Sequence, residues 1–363
     1  MGTYVCFDRH IHIGYETRTN GILSQLGYVD INEQMLNEIV NNKRLKCIQI
    51  SECLPDEAYQ KIDQILLVRP DITFRLFHFL NCQEIDVSFL KNMPHMKRLR
   101  IDCIDFKSNT NRINLSVLAE LSLKSLRMEC FDLIDYEFIQ NLSDELEELL
   151  IMADTMGAGI RFDCTWLLKY KNLHTLWLGK KAKKNLEKIN QLPKLKSLSL
   201  RGIKLTDFSF LWKMNLEKLA LLWNSNSNLN ELANLKSLKE IELWRINKLS
   251  DISFISELTN LEIIKLQDLK HVTSLPDLSR HPNLQRVFLI DTGINVKELP
   301  TYLQEKVSGK VTERVKHYQN YLPTYFPLVH PSPRNQIWMA KNPWFEAEVV
   351  PELQSLVQKI IQK

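Results

Sequence analysis

One pattern of apolar positions recurs along most of the chain. It has the form ΦxxΦxΦ, in which Φ is an apolar residue and the x positions are mostly polar. Because side chains alternate across a β-strand, the fourth and sixth positions of each copy are expected to share one face of a short strand. The third, fifth and seventh positions then share the opposite face. Copies of the pattern begin at Leu45, Phe74, Met96, Leu123, Leu146, Leu173, Leu195, Leu216, Leu238, Leu261 and Leu284.

The segments that connect these copies also repeat. EIDVSFLKNM (84–93), LIDYEFIQNL (133–142), LTDFSFLWKM (205–214) and LSDISFISEL (249–258) share an Asp, a later Phe, and then a Leu or Ile. An Asp at this place can accept hydrogen bonds from the first N–H groups of a short helical turn. One such unit cannot bury its apolar face alone, whereas stacked units form a continuous core. The pattern therefore predicts a solenoid with about eleven repeats.

The unit from Leu249 to Leu266 resembles the repeat of the leucine-rich repeat family, in the short form typical of bacterial internalins. That form reads LxDIxxLxxLTNLxxLxL, and the LTNL run (258–261) matches it fully. The resemblance covers roughly residues 45–292 and implies an α/β fold, a right-handed solenoid whose parallel sheet lines its concave face. Most repeats lack the Asn or Cys that the family places at the ninth position. Irregular curvature is therefore expected, with Cys53 and Cys82 interpreted as ladder residues.

The two ends of the chain are predicted to cap the solenoid. Residues 1–44 contain a strand pattern at His10–Ile13 and a helix start at Asp30. Another helix is predicted between Pro55 and Pro70, so convex helices are expected early and short turns later. Residues 293–363 are predicted to form a C-terminal helical cap and extension. Its helical patterns lie at 299–307, 311–322 and 351–361.

Composition restricts the class of protein only modestly. The net charge is +4, with 25% charged and 44% hydrophobic residues, which is typical of a globular chain and does not indicate nucleic-acid binding. The seven cysteines include no CxxC pair, which favours reduced thiols over a disulfide framework. No apolar run is long enough for a signal peptide or a membrane span. These features predict a cytoplasmic protein, and the abundance of Lys, Asn and Ile suggests a bacterial source.

Several side chains at the concave positions belong to types that are enriched in protein interfaces, namely Trp, Met and Arg. Nothing in the repeat requires a Trp at the fifth or seventh position. We therefore predict that Trp177, Trp244 and their neighbours anchor a partner protein, and that the arginines attract an acidic portion of it. The predicted partner-binding residues are Arg98, Arg100, Arg127, Leu150, Met152, Trp177, Arg201, Leu222, Trp223, Trp244, Arg245, Lys265 and Phe288.

Other interpretations of these side chains stay open at this stage. The C-terminal tail could fold over the concave aromatic residues and make them part of the core. A register shifted by one residue would move side chains to the opposite face of a strand. The early arginines, which lie beside His78 and Asp102, could bind phosphate or form salt bridges with Asp102 and Glu129.

The sequence thus predicts a non-enzymatic protein-binding module, with a bacterial immunity or inhibitor protein that neutralises a toxin or effector as one concrete form. A second hypothesis is a substrate-recruiting or enzymatic subunit whose function lies in residues 293–363. A third is nucleic-acid sensing by the basic concave strands. Candidate chemistry is sparse, because His10 and His12 lack a third metal ligand and Cys47 lacks a neighbouring base. No catalytic residue, metal or cofactor is predicted.

Overall fold

A computed structural model describes residues 9–18, 25–77, 87–104, 115–130, 133, 135–152, 160–179, 182–307, 311–322, 326–329 and 335–361. Within these residues the chain forms one 13-stranded sheet in the order β13-β12-β11-β10-β9-β8-β7-β6-β5-β4-β3-β1-β2, and neighbouring strands are parallel. The strands are β1 His10–Gly14, β2 Leu26–Gly27, β3 Cys47–Ile50, β4 Thr73–Phe77, β5 Arg98–Ile104, β6 Ser125–Cys130, β7 Glu148–Ile151, β8 Thr175–Gly179, β9 Ser197–Arg201, β10 Lys218–Leu222, β11 Glu240–Trp244, β12 Ile263–Leu269 and β13 Arg286–Thr292.

The connections change from helices to short turns, as the sequence predicts. Helix α1 (Glu33–Asn41) precedes β3, and α2 (Asp56–Val68) lies between β3 and β4. The N-cap of α1 is Asn32 rather than Asp30, because the Asn32 side chain accepts a 2.9 Å hydrogen bond from the N–H of Met35. The later connections are 3-10 helices at Ser88–Asn92, Leu115–Glu120, Glu137–Asn141, Cys164–Lys169, Leu186–Gln191, Ser209–Leu211, Asn230–Asn234 and Ser253–Glu257.

The repeated Asp residues of these connections act as local caps. The carboxylate of Asp207 accepts a 2.7 Å hydrogen bond from the N–H of Ser209, and Asp251 makes the same 2.8 Å bond to Ser253. Each bond satisfies an N–H group that would otherwise lack a partner at the start of a short helix. The recurring Asp therefore sets the place at which each connection turns back along the sheet.

The core lies between the sheet and these connections. In β11 the fourth and sixth positions of the repeat, Ile241 and Leu243, are fully buried, while the strand residues between them are half-buried. Burying such an aliphatic side chain contributes about 1.5–3 kcal/mol, and one continuous cluster extends along the solenoid. We call the opposite face of the sheet, which carries the third, fifth and seventh positions, the concave face.

Two details of the predicted repeat are wrong. Phe74 is the fourth position of its repeat and not the first, because it is buried and pairs in register with Ile48 and Leu99. Cys53 is exposed, so it does not serve as an inward-pointing ladder residue; its neighbour Leu54 is buried instead. Both errors arise at the long early repeats, where apolar residues of a helix and of a strand adjoin. Cys82 and His78 lie outside the described residues.

The C-terminal part packs in two ways. Ile294 and Leu303 join the solenoid core, and the carbonyl of Lys306 accepts a 2.9 Å hydrogen bond from the N–H of Val287 in β13. Beyond them a separate small cluster forms around Val315, Phe345 and Val349. The helices here are α3 Thr301–Gln304, α4 Val311–Lys316, α5 Asn335–Lys341 and α6 Val350–Ile361, with a 3-10 turn at Tyr318–Tyr321 and a π-helical turn at Phe345–Val349.

The tail rings that the structure describes contact one another. The ring centroid of Trp338 lies 5.9 Å from that of Trp344 and 5.4 Å from that of Phe345. The solenoid core cluster has no member from the described part of 311–361. These contacts do not support the interpretation in which the tail covers the concave aromatic residues. Among the described residues, no helix combines the length and the apolar character needed to cross a bilayer.

Candidate functional site

The predicted site residues all belong to the concave face or to the C-terminal ends of its strands, but they do not form one site. They extend from Arg98 in β5 to Phe288 in β13, which is about 38 Å at the usual spacing between strands. The fifth positions pair in register along the face. In chain order this column contains Arg75, Arg100, Arg127, Leu150, Trp177, Ser199, Ala220, Glu242, Lys265 and Phe288.

The structure corrects the expected exposure of Trp177, one of the two predicted anchors. Its side chain projects from the concave face, between Leu150 and Ser199 in register, but only 9% of the residue is exposed. Leu222 is also nearly buried, at 6% exposed. The alternation of residues within one strand does not show which side chains of other strands cover a large ring. The prediction that the Trp177 ring stands free is therefore wrong, whereas Trp244 remains half-exposed.

An exposed aromatic cluster lies at the C-terminal ends of β9, β10 and β11. Trp223 is 40% exposed, and its ring meets the Trp244 ring edge-on at a centroid distance of 5.8 Å. The guanidinium carbon of Arg201 lies 4.8 Å from the Trp223 ring centroid, and that of Arg245 lies 4.3 Å away. These four residues, together with Leu222, are called the edge patch below. It combines an exposed indole with two stacked cations, which is a combination common at protein interfaces.

The backbone of the edge patch has an unusual conformation. Trp223 has a φ of 55° and Arg245 has a φ of 54°, in the left-handed region that bulky residues rarely occupy. The eighth positions of neighbouring repeats share this conformation but carry Gly202, Asp268 and Asp291. A left-handed non-glycine residue costs about 1–2 kcal/mol, and two exposed cation–π contacts contribute about as much in return. The stacked arginines therefore offset the strain of placing a Trp at this turn.

An open groove of about 690 Å³ adjoins the edge patch. Trp244 and Arg245 form one wall, and Asp268, Lys270 and Asp291 contribute charges of both signs. The Arg245 guanidinium Nε lies 3.5 Å from a carboxylate oxygen of Asp268. The groove thus extends the patch toward β13, where Ile290 is 46% exposed.

The early arginines are engaged in ion pairs. Asp102 is fully buried and accepts hydrogen bonds from Nε of Arg75 at 2.7 Å, while Arg100 also contacts its carboxylate. Glu129 lies 3.6 Å from guanidinium nitrogens of both Arg100 and Arg127. Arg75, Arg100, Asp102, Arg127 and Glu129 are called the arginine network below. The salt-bridge interpretation therefore describes the geometry of Arg100 and Arg127.

Two other basic residues of the predicted site are also paired. Arg98 donates a 2.8 Å hydrogen bond to Glu148, and Lys265 contacts Glu240 at 2.5 Å and Glu242 at 3.9 Å. Burial raises the pKa of Glu242, Lys265 lowers it, and Glu240 raises it further. The sequence analysis missed these two glutamates, although their third and fifth positions in β11 place them on the concave face. Ile290 was missed in the same way, at the seventh position of β13.

The remaining candidates for chemistry do not form a reactive centre. Burial raises the pKa of the Cys47 thiol to about 11, so the thiol is protonated at neutral pH and a poor nucleophile. Burial also lowers the pKa of His10 and His12. Among the described residues, no group of three His, Cys, Asp or Glu side chains could hold a metal ion. Leu150, Met152 and Phe288 are half-buried on the concave face and carry no polar group.

The repeats and the single parallel sheet define the fold of this chain as a leucine-rich repeat solenoid. No protein-family model matches it. Among solved structures, it is similar to the functional domain of InlJ from Listeria monocytogenes, with 17% identity, a TM-score of 0.41, and 75% of this chain and 54% of that domain covered. This chain thus spans about half of the InlJ domain.

Two further solved structures are similar at comparable levels. The internalin InlF from Listeria monocytogenes shows 18% identity and a TM-score of 0.38 over 75% of this chain and 92% of that chain. The Leptospira interrogans leucine-rich repeat protein LIC12759 shows 16% identity and a TM-score of 0.36 over 74% of this chain and 88% of that chain.

Proposed function

We propose that this chain is a cytoplasmic protein-binding module and that the edge patch is its principal anchor for a partner protein. The observation that carries the proposal is Trp223, an exposed indole held in a left-handed backbone conformation between two guanidinium groups. Strained residues persist where the surrounding structure holds them, and they concentrate at functional sites. A small residue such as Gly202 occupies the same turn at lower cost, so the fold itself does not require a Trp there.

The chemistry of the patch indicates what the partner presents. The two indoles offer a rigid apolar surface, and Trp is a residue type that often dominates binding energy. The guanidinium groups of Arg201 and Arg245 lie within 5 Å of the Trp223 ring, so positive charge adjoins the exposed indole. A partner with an apolar side chain close to a carboxylate fits this arrangement. In the most concrete form of the proposal, that partner is a bacterial toxin or effector whose activity is blocked in the complex.

A differential capture experiment tests the proposal. The wild-type chain, the Trp223→Ala/Trp244→Ala double variant and the Trp212→Ala variant are immobilised and exposed to lysate from the host. Trp212 is the matched control, because it is 46% exposed but follows the 3-10 helix Ser209–Leu211, away from the strand ends. We expect at least one protein to be retained by the wild type and by Trp212→Ala and lost from the double variant.

Identical sets of retained proteins for all three baits, including three empty sets, would contradict the proposed anchor. For a protein that passes this test, the activity of the partner is then measured alone and in the purified complex, which tests whether the chain is an inhibitor. Loss of the partner's own activity on binding is expected if the chain is an immunity or inhibitor protein.

A further inference from the structure

Within the described part of the chain, the arginine network carries more positive than negative charge. Arg75, Arg100 and Arg127 occupy the fifth position on the consecutive strands β4, β5 and β6, and they pair in register. Like charges directly opposite one another on adjacent strands are destabilising. Against these three cations the network has two carboxylates, Asp102 and Glu129, so its formal charge is +3 − 2 = +1.

The two carboxylates are not shared evenly. One carboxylate oxygen of Asp102, Oδ2, lies 2.7 Å from Nε and 2.6 Å from a terminal nitrogen of Arg75, and Nε of Arg100 also contacts it without hydrogen-bond geometry. The other oxygen, Oδ1, is buried and has no hydrogen-bond partner. The remaining terminal nitrogen of Arg75 donates a 3.0 Å hydrogen bond to Gln49, whose side chain is nearly buried. Arg75 is therefore fully engaged within the protein, whereas Asp102 contacts Arg75 and Arg100 through one oxygen only.

Arg127 is left short of acceptors. Its Nε atom is buried and has no hydrogen-bond partner. Among the residues that the structure describes, its ion-pair contact is the 3.6 Å approach to Glu129, which is too long for a direct hydrogen bond and which Arg100 shares at the same distance. The next residue in the column, Leu150, offers no acceptor. Burial is the largest cause that lowers the pKa of Arg127, and the charge of Arg100 is the next.

A buried donor without an acceptor costs free energy, and an arginine beside another arginine adds repulsion. Glu129 already lies 3.6 Å from both guanidiniums without a direct hydrogen bond, and the two arginine side chains are 28% and 33% exposed. A second oxyanion that accepts hydrogen bonds from their terminal nitrogens would reduce the repulsion between them. The planar fork of an arginine matches the two oxygens of a carboxylate or phosphate, and a charge-assisted bond of this kind is about twice as strong as a neutral one. We propose that Arg127 and Arg100 form a binding site for a single oxyanion group, either a carboxylate or a phosphate.

This site is separate from the edge patch. Arg127 lies in β6 and Arg201 in β9, three strands or about 14 Å apart along the sheet. The two proposals therefore fail independently, since one concerns stacked indoles and the other an under-coordinated guanidinium. Arg98 provides the internal control: it lies on β5 beside Arg100, but its own 2.8 Å bond to Glu148 already neutralises it.

Side-chain NMR of the full chain tests the oxyanion site. The Nε–Hε signals of arginines labelled with ¹⁵N are followed during titrations with inorganic phosphate and with acetate at constant ionic strength. The signals are assigned from Arg127→Ala, Arg100→Ala and Arg98→Ala spectra. We expect the signals of Arg127 and Arg100 to shift saturably with at least one anion in the millimolar range, while the Arg98 signal stays in place.

The two titrations also separate the possible sources of the oxyanion. Saturation with phosphate alone assigns the site to a phosphate group, and saturation with acetate assigns it to a carboxylate. In both cases Arg127→Ala should abolish the shift of the Arg100 signal, whereas Arg98→Ala should leave both shifts unchanged. Shifts at Arg127 that are linear in anion concentration, or no larger than those at Arg98, would overturn the proposal.

Discussion

The arginine network and the edge patch both contain arginines of one sheet, but the first pairs them with carboxylates and the second places them beside an aromatic ring. In the network, Arg75 and Arg100 point their donors at the buried carboxylate of Asp102. In the edge patch, the guanidinium carbons of Arg201 and Arg245 lie 4.8 and 4.3 Å from the ring centroid of the exposed Trp223 indole. An arginine on a concave face is therefore not by itself a recognition residue. Its availability depends on whether the neighbouring strands supply carboxylates or rings.

The two regions also differ in how much their contacts contribute to the stability of the folded chain. The network is half-buried, so its charges interact strongly and removing one partner exposes the rest to a large desolvation cost. The edge patch is exposed, and its cation–π contacts offset a backbone strain of similar size. Disrupting the first region should therefore affect folding, whereas disrupting the second should mainly affect binding.

The largest expected effect comes from Asp102→Ala. Removal of this fully buried carboxylate leaves Arg75 and Arg100 without their common acceptor. Breaking a buried ion pair in this way costs about 3–5 kcal/mol, which urea unfolding should detect. Glu257→Ala removes an exposed partner of Lys236 and serves as the control, with a loss below about 1 kcal/mol. Equal losses for the two variants would show that the network is no more important than a surface ion pair.

A second buried carboxylate, on the connection side of the solenoid, provides a reference for the network. Asp163 accepts hydrogen bonds from the side chain of Asn185 and from the backbone and hydroxyl of Thr165, and it contacts Lys184 at 2.9 Å. Asp163→Asn should cost about 2–3 kcal/mol at pH 7, less than Asp102→Ala, because each of its donors is neutral or solvated. Urea unfolding of the two variants under identical conditions compares them directly.

The penalty of Asp163→Asn should also depend on pH. Burial raises the pKa of Asp163, but the hydrogen bonds from Asn185, Lys184 and Thr165 outweigh it, so the folded pKa lies below the ordinary value. A depressed carboxyl pKa adds stability that is complete above the unfolded value, about 3.9, and is lost as the pH falls through the folded value. The difference between wild type and variant should therefore shrink below pH 4. A penalty that grows on acidification would contradict the hydrogen-bond assignment.

The left-handed backbone at Trp223 predicts that Gly and Ala variants differ in stability in the opposite order there and at Trp212. At Trp223, with φ at 55°, Gly should be more stable than Ala by about 1 kcal/mol, because only Gly adopts this conformation without strain. At Trp212, which has a φ of −64°, Ala should be as stable as Gly or more so. Unfolding midpoints of the four variants decide the matter. If Ala were the better residue at both positions, the strain attributed to Trp223 would not exist.

The smallest effect is expected at Glu242, which lies on β11, the strand that also carries Trp244 of the edge patch. Burial is the first cause that raises its pKa, so its ionised form is disfavoured in the folded chain. An acid with a raised folded pKa destabilises the protein at pH values above that pKa, and the loss disappears as the pH falls. Glu242→Gln should therefore change stability at pH 7 by less than about 1 kcal/mol, in the stabilising direction. A clear destabilisation would show that its 3.9 Å contact with Lys265 dominates.

The repeat could be predicted because its signal is local and recurs many times. The alternation that buries Ile241 and Leu243 is present in the sequence of every short repeat. Asp207 likewise indicates in the sequence the turn that it caps. The register failed only at Phe74, where a long helical connection adjoins the strand. The salt bridges of Arg100 and Arg127 with Asp102 and Glu129 were predicted as one alternative, because these residues lie close together in sequence, whereas the part of Arg75 was missed.

The solvent exposure of each candidate anchor could not be predicted from the sequence. Trp177 and Trp223 are both tryptophans at the sheet, yet one is 9% and the other 40% exposed. Their difference depends on side chains that stand beside them on adjacent strands, which are more than 20 residues away in sequence. The left-handed conformation of Trp223 was also missed, although Gly202 and two aspartates at the same position of neighbouring repeats marked that turn.

The sequence by itself determined the solenoid, and for the short repeats it also determined the face to which each strand residue points and the composition of the concave columns. These follow from a period of two within each strand and a period of about 22 along the chain, and both are properties of local order. Only the tertiary structure decided which rings remain exposed, which arginines are neutralised, and where the backbone is strained. Those outcomes depend on contacts between consecutive repeats, where the distance between two side chains is set by stacking and not by their separation along the chain.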